Sequence, residues 1–199
     1  MSYGRGYSKT QWYHFRVTAS LTAGYVLVGG RSTRMGRDKA LLPFRGSTLA
    51  QWIARQVAAA AGSATLVGNI ALGIPDLYPG EGPLGGILTA LEHTSAELNL
   101  IVACDMPHVE TPLLRCLLEA ARESDADVLL PRGPSGLVEP LCAVYQRRAL
   151  LELRTRFDRG TRKITAGLEG LAVVTLKVAE VTQFQNLNTP EDWAVHAGE

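Results

Sequence analysis

From Ala23 onward, short apolar runs rich in Val, Leu and Ile alternate with longer segments whose apolar positions recur at helical spacing. That is the pattern of βα units around a mainly parallel sheet, an α/β class fold. Residues 25–28 read as the first buried strand. Ser47 or Thr48 stands before Leu49, Trp52, Ile53, Gln56 and Val57, a spacing that predicts a capped helix ended by Gly62. Residues 64–67 form the second predicted strand. A short link through Ile74, Pro75 and Asp76 leads into a turn-dense stretch, residues 78–86, that opens a helix over 87–93.

Leu98–Ala103 is the next predicted strand, running into Cys104-Asp105-Met106-Pro107. Thr111-Pro112 gives a helix start with Thr as cap and Pro at the first helical position, and the helix reaches about Glu123. Residues 126–130 and 140–146 are strand candidates. The turn-rich connection between them leaves no room for a crossover helix, which predicts an antiparallel insertion into the sheet. Short helices over 149–157 and 161–168, a strand over 172–178 and a last helix started by Thr189-Pro190 complete the pattern.

Composition narrows this picture. A chain of 199 residues can bury a substantial core as one domain without disulfides. The 20 Lys and Arg nearly cancel the 19 Asp and Glu, so the global field gives no reason to invoke nucleic acid or an anionic membrane. Cys104, Cys116 and Cys142 lie in apolar runs without the spacing of a zinc or redox motif, and read as small core residues in a reducing cytosol. No apolar run approaches the roughly 20 residues that span a bilayer. A soluble, cytoplasmic protein is the expectation. Residues 1–20 are basic and aromatic, without periodicity, and read as a disordered N-terminal extension; residues 21–199 read as the single folded domain.

Ligands of an open parallel sheet sit beyond the carboxyl ends of its strands. Three such ends carry candidate chemistry. The first strand runs into Gly29-Gly30-Arg31-Ser32-Thr33-Arg34-Met35-Gly36-Arg37-Asp38-Lys39, a glycine-rich cationic loop suited to phosphates. A tight turn with solvated charges is the competing reading of the loop alone. The second end is Asp76 with the glycines of residues 80–86, which permit close backbone approach to a ligand. The third is Asp105, held at a strand terminus, where a carboxylate suits Mg²⁺. Its competing role, capping the next helix, falls more naturally to Thr111.

GGRSTRMGRDKALLP (29–43), GPLGGI (82–87), ACDMP (103–107), EPLCAVY (139–145) and FQNLNTPEDW (184–193), in this order, resemble the molybdenum cofactor guanylyltransferases of the MobA-like nucleotidyltransferases. The resemblance implies a three-layer α/β/α sandwich of the nucleotide-diphospho-sugar transferase type. It implies an activity joining GMP from GTP to the phosphate of molybdopterin with release of pyrophosphate, with Mg²⁺ as cofactor. It also implies dealings with molybdenum-insertion or molybdoenzyme maturation proteins. By motif position, Leu27, Val28, Gly29 and Gly30 hold the nucleotide and Lys39 its phosphates. Asn69 and Asp76 contact the nucleotide, and Asp105 ligates the metal. Arg34, Lys39 and Asp105 are the catalytic set, with Arg34 and Lys39 on the leaving-group side.

Two residues depart from the family pattern. Val28 stands where the family has Ala, which puts two extra methyl groups against the base or ribose. Glu139 stands where many guanylyltransferases have His. Alternatives that stay open are a cytidylyltransferase for the same pterin, a transferase for another phosphorylated acceptor, and a non-catalytic nucleotide-binding module. A nicotinamide-binding Rossmann protein fails locally, because the loop is not Gly-x-Gly-x-x-Gly and no acid follows the second strand.

Overall fold

The structure is a computed structural model that describes residues 21–29, 39–68, 73–179 and 184–185. The extension 1–20, most of the loop 29–39 and the last predicted helix lie outside the described residues.

Eight strands and five α-helices follow one another as β1 (Thr22–Leu27), β2 (Pro43–Phe44), β3 (Ser47–Thr48), α1 (Leu49–Ala61), β4 (Thr65–Val67), α2 (Pro83–His93), β5 (Leu98–Ala103), α3 (Thr111–Arg122), β6 (Val128–Arg132), β7 (Cys142–Gln146), α4 (Leu150–Asp158), α5 (Ile164–Gly167) and β8 (Val173–Lys177). The main sheet has six strands in the order β4-β1-β5-β7-β6-β8; β2 and β3 form a separate hairpin. Every pairing in the main sheet is parallel except those of β7, which runs antiparallel to both β5 and β6. The antiparallel insertion expected from the short connection is therefore present.

Side-chain alternation divides the core into two layers. Val26, Leu100, Val102, Cys142 and Val144 face α1 and α3, where they pack with Ile53, Val57, Leu114 and Leu117. Tyr25, Ile101, Ala143 and Tyr145 face the other way, onto Leu84, Leu88, Leu153 and Ile164 of α2, α4 and α5. A sheet covered on both faces explains why β5 is apolar almost throughout and wholly buried. The expected α/β/α sandwich with a mainly parallel sheet is the observed one.

Helix α1 keeps its predicted ends. Thr48 and Gln51 form a reciprocal capping box, and Gly62 closes the helix in the left-handed conformation at φ 81°. Three expectations need correction. Helix α2 starts at Pro83 rather than Ile87, so Gly85 and Gly86 are helical. A Cβ on Gly85 would stand 2.8 Å from that of Tyr78, and one on Gly86 would stand 3.3 Å from Leu27, so close packing selects glycine there. Thr111 does not cap α3: Glu110 occupies the cap position, and the Thr111 hydroxyl donates to the Gln56 side chain of α1 at 2.7 Å. Cys104 and Cys142 are buried as expected, but Cys116 is exposed on the outer side of α3.

Candidate active site

β1 lies between β4 and β5, and the chain crosses from one side of it to the other when it passes from β4 to β5. This is a topological switch point, and its crevice opens at the carboxyl ends of those strands. The ends are bound together by backbone. The Val28 N–H donates to the Val67 carbonyl at 2.8 Å, and the Cys104 N–H donates to the Leu27 carbonyl at 3.0 Å. Gly68 adopts φ 144°, and a Cβ there would fall 1.8 Å from the Val28 carbonyl oxygen. Only glycine lets β4 end this close to β1.

The Val28 side chain is 6% exposed and belongs to the core beneath α1 and α3. Its two methyl groups pack into that core layer. Leu27 is half-buried, with its side chain against Gly86 of α2, and Gly29 is exposed. Gly30, Arg34 and Asn69 lie outside the described residues.

Asp105 and Lys39, far apart in sequence, meet at this end of the sheet. Burial pushes the Asp105 carboxyl above its usual range, and the Lys39 charge pulls it back. Lys39 begins a single helical turn, Lys39–Leu41, whose Ala40 is buried. The Leu49 N–H donates to the Leu42 carbonyl at 2.9 Å, tying this turn to the start of α1.

Glu139, which motif reading treated only as a departure, also lies at this end of the sheet. In the antiparallel ladder Val102 pairs with Cys142, and the Ala103 N–H donates to the Leu141 carbonyl at 2.7 Å. Glu139 lies in the turn that leads into β7, whose Cys142 N–H donates to the Glu139 carbonyl at 3.2 Å, close enough to Asp105 for its charge to be felt. Its Oε1 accepts the Leu141 N–H at 3.0 Å. Burial pushes the Glu139 carboxyl up; the Leu141 hydrogen bond opposes this, and the charge of Asp105 adds to it. The sequence signal was an acid just ahead of an antiparallel strand, but the register that gives it meaning is a tertiary fact.

The segment after Asp105 is held from α1. Trp52 donates its indole N–H to the Pro107 carbonyl at 3.1 Å. One turn further on, Gln56 accepts both the Thr111 N–H at 3.1 Å and the Thr111 hydroxyl. The guanidinium of Arg45, at the β2–β3 turn, lies 4.9 Å from the Trp52 ring centroid. Met106 and Pro107 are buried beneath this bracket. The placement of Asp105 therefore depends on the same helix that anchors the Lys39 turn.

Asp76 lies on the strand-like return beside β4, where Ile74 bridges to Val67. Its Oδ1 accepts the Tyr78 N–H and the Thr89 hydroxyl, each at 2.9 Å. One oxygen is thus committed to holding the turn against α2, which leaves Oδ2 to meet a ligand. The neighbouring glycines have structural reasons: positive φ at Gly80 and Gly82, close packing at Gly85 and Gly86. His93 is exposed, with its ring edge-on to Tyr25.

Among the described residues, no group of three or more His, Cys, Asp or Glu side chains converges as a self-sufficient metal cage. Nor is any described helix long and apolar enough to cross a membrane. A desolvated carboxylate at Asp105, with that of Glu139 near it, suits a hard cation that completes its shell with phosphate oxygens and water.

Comparison with known proteins agrees with this geometry. A family model, the MobA-like NTP transferase domain, matches residues 24–173. The chain is 34% identical to a probable molybdenum cofactor guanylyltransferase of Nostoc sp., over 90% of this chain and 92% of that one. It is 33% identical to the molybdenum cofactor guanylyltransferase of Xanthomonas euvesicatoria, over 86% and 92%. The crystal structure of molybdopterin-guanine dinucleotide biosynthesis protein A from Archaeoglobus fulgidus matches with a TM-score of 0.75 at 30% identity, covering 87% of this chain and 96% of that one.

Proposed function

Because the chain belongs to the MobA-like NTP transferase family, we propose that it is a molybdenum cofactor guanylyltransferase, moving GMP from GTP to the terminal phosphate of molybdopterin. The names of its relatives support this substrate pair. The observation that carries the reading is the meeting of Lys39 and Asp105 at the switch point, one cation and one desolvated carboxylate from different strand ends.

The attacking group is an oxygen of a phosphate monoester, whose second pKa is about 6, so it is mostly ionised at neutral pH. It forms a bond to the α-phosphorus of GTP while the bond from that phosphorus to the bridging oxygen breaks, and pyrophosphate leaves with the electron pair. No general base is needed. The protein contributes in-line placement and charge compensation. Lys39 sits where it offsets charge on the β- and γ-phosphates, with Arg34 assigned to the same side by motif position. The exposed backbone at Gly29 allows close approach of the nucleotide, and the Oδ2 of Asp76 is placed to accept from it. Asp105 fits a divalent cation, taken to be Mg²⁺, which when bound would supply positive charge to the phosphate oxygens.

Purified protein incubated with Mg²⁺, molybdopterin and each of the four nucleoside triphosphates tests the reading. Pyrophosphate is expected with GTP alone. Release with CTP instead would mark a cytidylyltransferase, and no release with any nucleotide would mark a binding module.

A further inference from the structure

Two acids come close at the carboxyl end of β5, Asp105 just past that strand and Glu139 in the turn that leads into β7. Backbone holds the two segments together, the Ala103 N–H donating to the Leu141 carbonyl at 2.7 Å, and like charges brought close repel. Both groups are half-buried, which strengthens the repulsion. Among the described residues the charge acting on Asp105 is that of Lys39, and the charge acting on Glu139 is that of Asp105.

The Glu139 carboxylate is nonetheless held in place. Its Oε1 accepts the Leu141 N–H, its carbonyl accepts the Cys142 N–H at 3.2 Å, and its own N–H donates to Pro131 at 3.2 Å. This fixes the plane of the carboxylate and leaves Oε2 without a hydrogen bond among the described residues. A group oriented by backbone on one oxygen and open on the other, facing a like charge, has the form of a metal ligand.

We propose that Glu139 is a second carboxylate ligand of the divalent cation assigned to Asp105, so that β5 and β7 each contribute one ligand; the inference rests on the metal reading of Asp105 given above. Two protein carboxylates, with the remaining positions left to phosphate oxygens and water, match what Mg²⁺ accepts. The arrangement makes the cation a clasp between the parallel half of the sheet and its antiparallel insertion. Repulsion between the two acids turns into shared attraction when the cation enters.

The test is Mn²⁺ binding followed by electron paramagnetic resonance, with a GTP analogue carrying a non-hydrolysable α,β-methylene bridge. Wild type is compared with Glu139→Gln and Asp105→Asn. Glutamine keeps an oxygen for the Leu141 N–H, and thermal melting checks that each variant is folded. Glu139→Gln is expected to weaken Mn²⁺ binding by about 10-fold to 100-fold, a range that even outer partners of metal ligands command. The Mn²⁺ signal of the bound state is also expected to change as one carboxylate is replaced. Unchanged Mn²⁺ affinity in Glu139→Gln, with affinity lost in Asp105→Asn, overturns this inference and leaves the Asp105 reading standing. Unchanged affinity in both variants, or no Mn²⁺ bound by wild type, overturns both.

Discussion

Asp105 and Asp127 occupy opposite ends of the sheet and show what the fold does with the same carboxyl group in two settings. Asp127 precedes β6. Its Oδ2 accepts the Ala172 N–H at 2.9 Å and its Oδ1 pairs with Arg148 at 2.7 Å. Those partners, the Ala172 N–H first and Arg148 after it, hold its carboxyl below the usual range. Asp105, at the carboxyl end of β5, is pushed the other way by burial, against the pull of Lys39, and faces Glu139. The lesson is directional. At one end of the sheet the carboxylate is satisfied by its partners; at the other, among the described residues, burial works against the charged form and the Lys39 charge offsets it. Perturbed groups of this second kind gather at functional sites.

The comparison breaks first at Asp105. Asp105→Asn is expected to lower the rate of pyrophosphate release by about 100-fold to 1,000-fold, the usual loss when one stabiliser of transition-state charge is removed. Stability should hold or rise, because a costly buried charge is gone; melting beside the rate measurement checks both halves.

A smaller effect is expected at Trp52. Trp52→Phe keeps the ring but removes the indole N–H that holds the Pro107 carbonyl, a bond worth about 1 kcal/mol. Turnover should fall several-fold with the KM for GTP unchanged, since the Lys39 turn is untouched. A matching rise in KM would mean that Trp52 supports the whole crevice and not the Asp105 segment.

The smallest effect is expected at the satisfied end. Asp127→Asn should cost no more than about 1 kcal/mol at pH 7, since Arg148 is half-exposed and its ion pair is screened. The sign with pH follows from the lowered pKa. The contribution is complete above the ordinary value of 3.8 and is lost as pH falls through the lower folded value. Denaturation of wild type and variant should therefore converge in strong acid.

Much of this was legible in the sequence. The succession of short apolar runs and helical segments marked the α/β class, and Ser47 or Thr48 with Gly62 marked the ends of α1, because period and caps are local signals. Helix α2 was shortened because Gly85 and Gly86 look like a loop until Tyr78 and Leu27 are seen filling the space of their missing Cβ atoms. Thr111 was read as a cap because its competing partner, Gln56, lies on another helix. Asp105 and Lys39 were legible as strand-end chemistry. Glu139 was visible only as an unusual letter, since no local pattern encodes a register across two strands. The burial of Val28 in the core beneath α1 and α3 was not legible, because the direction of its side chain depends on which face of the sheet the strand end presents.

The most direct test of the account sets the two ends against each other in one experiment. Pyrophosphate release from GTP with molybdopterin and Mg²⁺ is measured for wild type, Asp105→Asn and Asp127→Asn under conditions where all three are folded. The account expects Asp127→Asn to turn over at the wild-type rate and Asp105→Asn to lose at least about 100-fold. Near-normal turnover by Asp105→Asn would contradict the assignment of the active site to this end of the sheet.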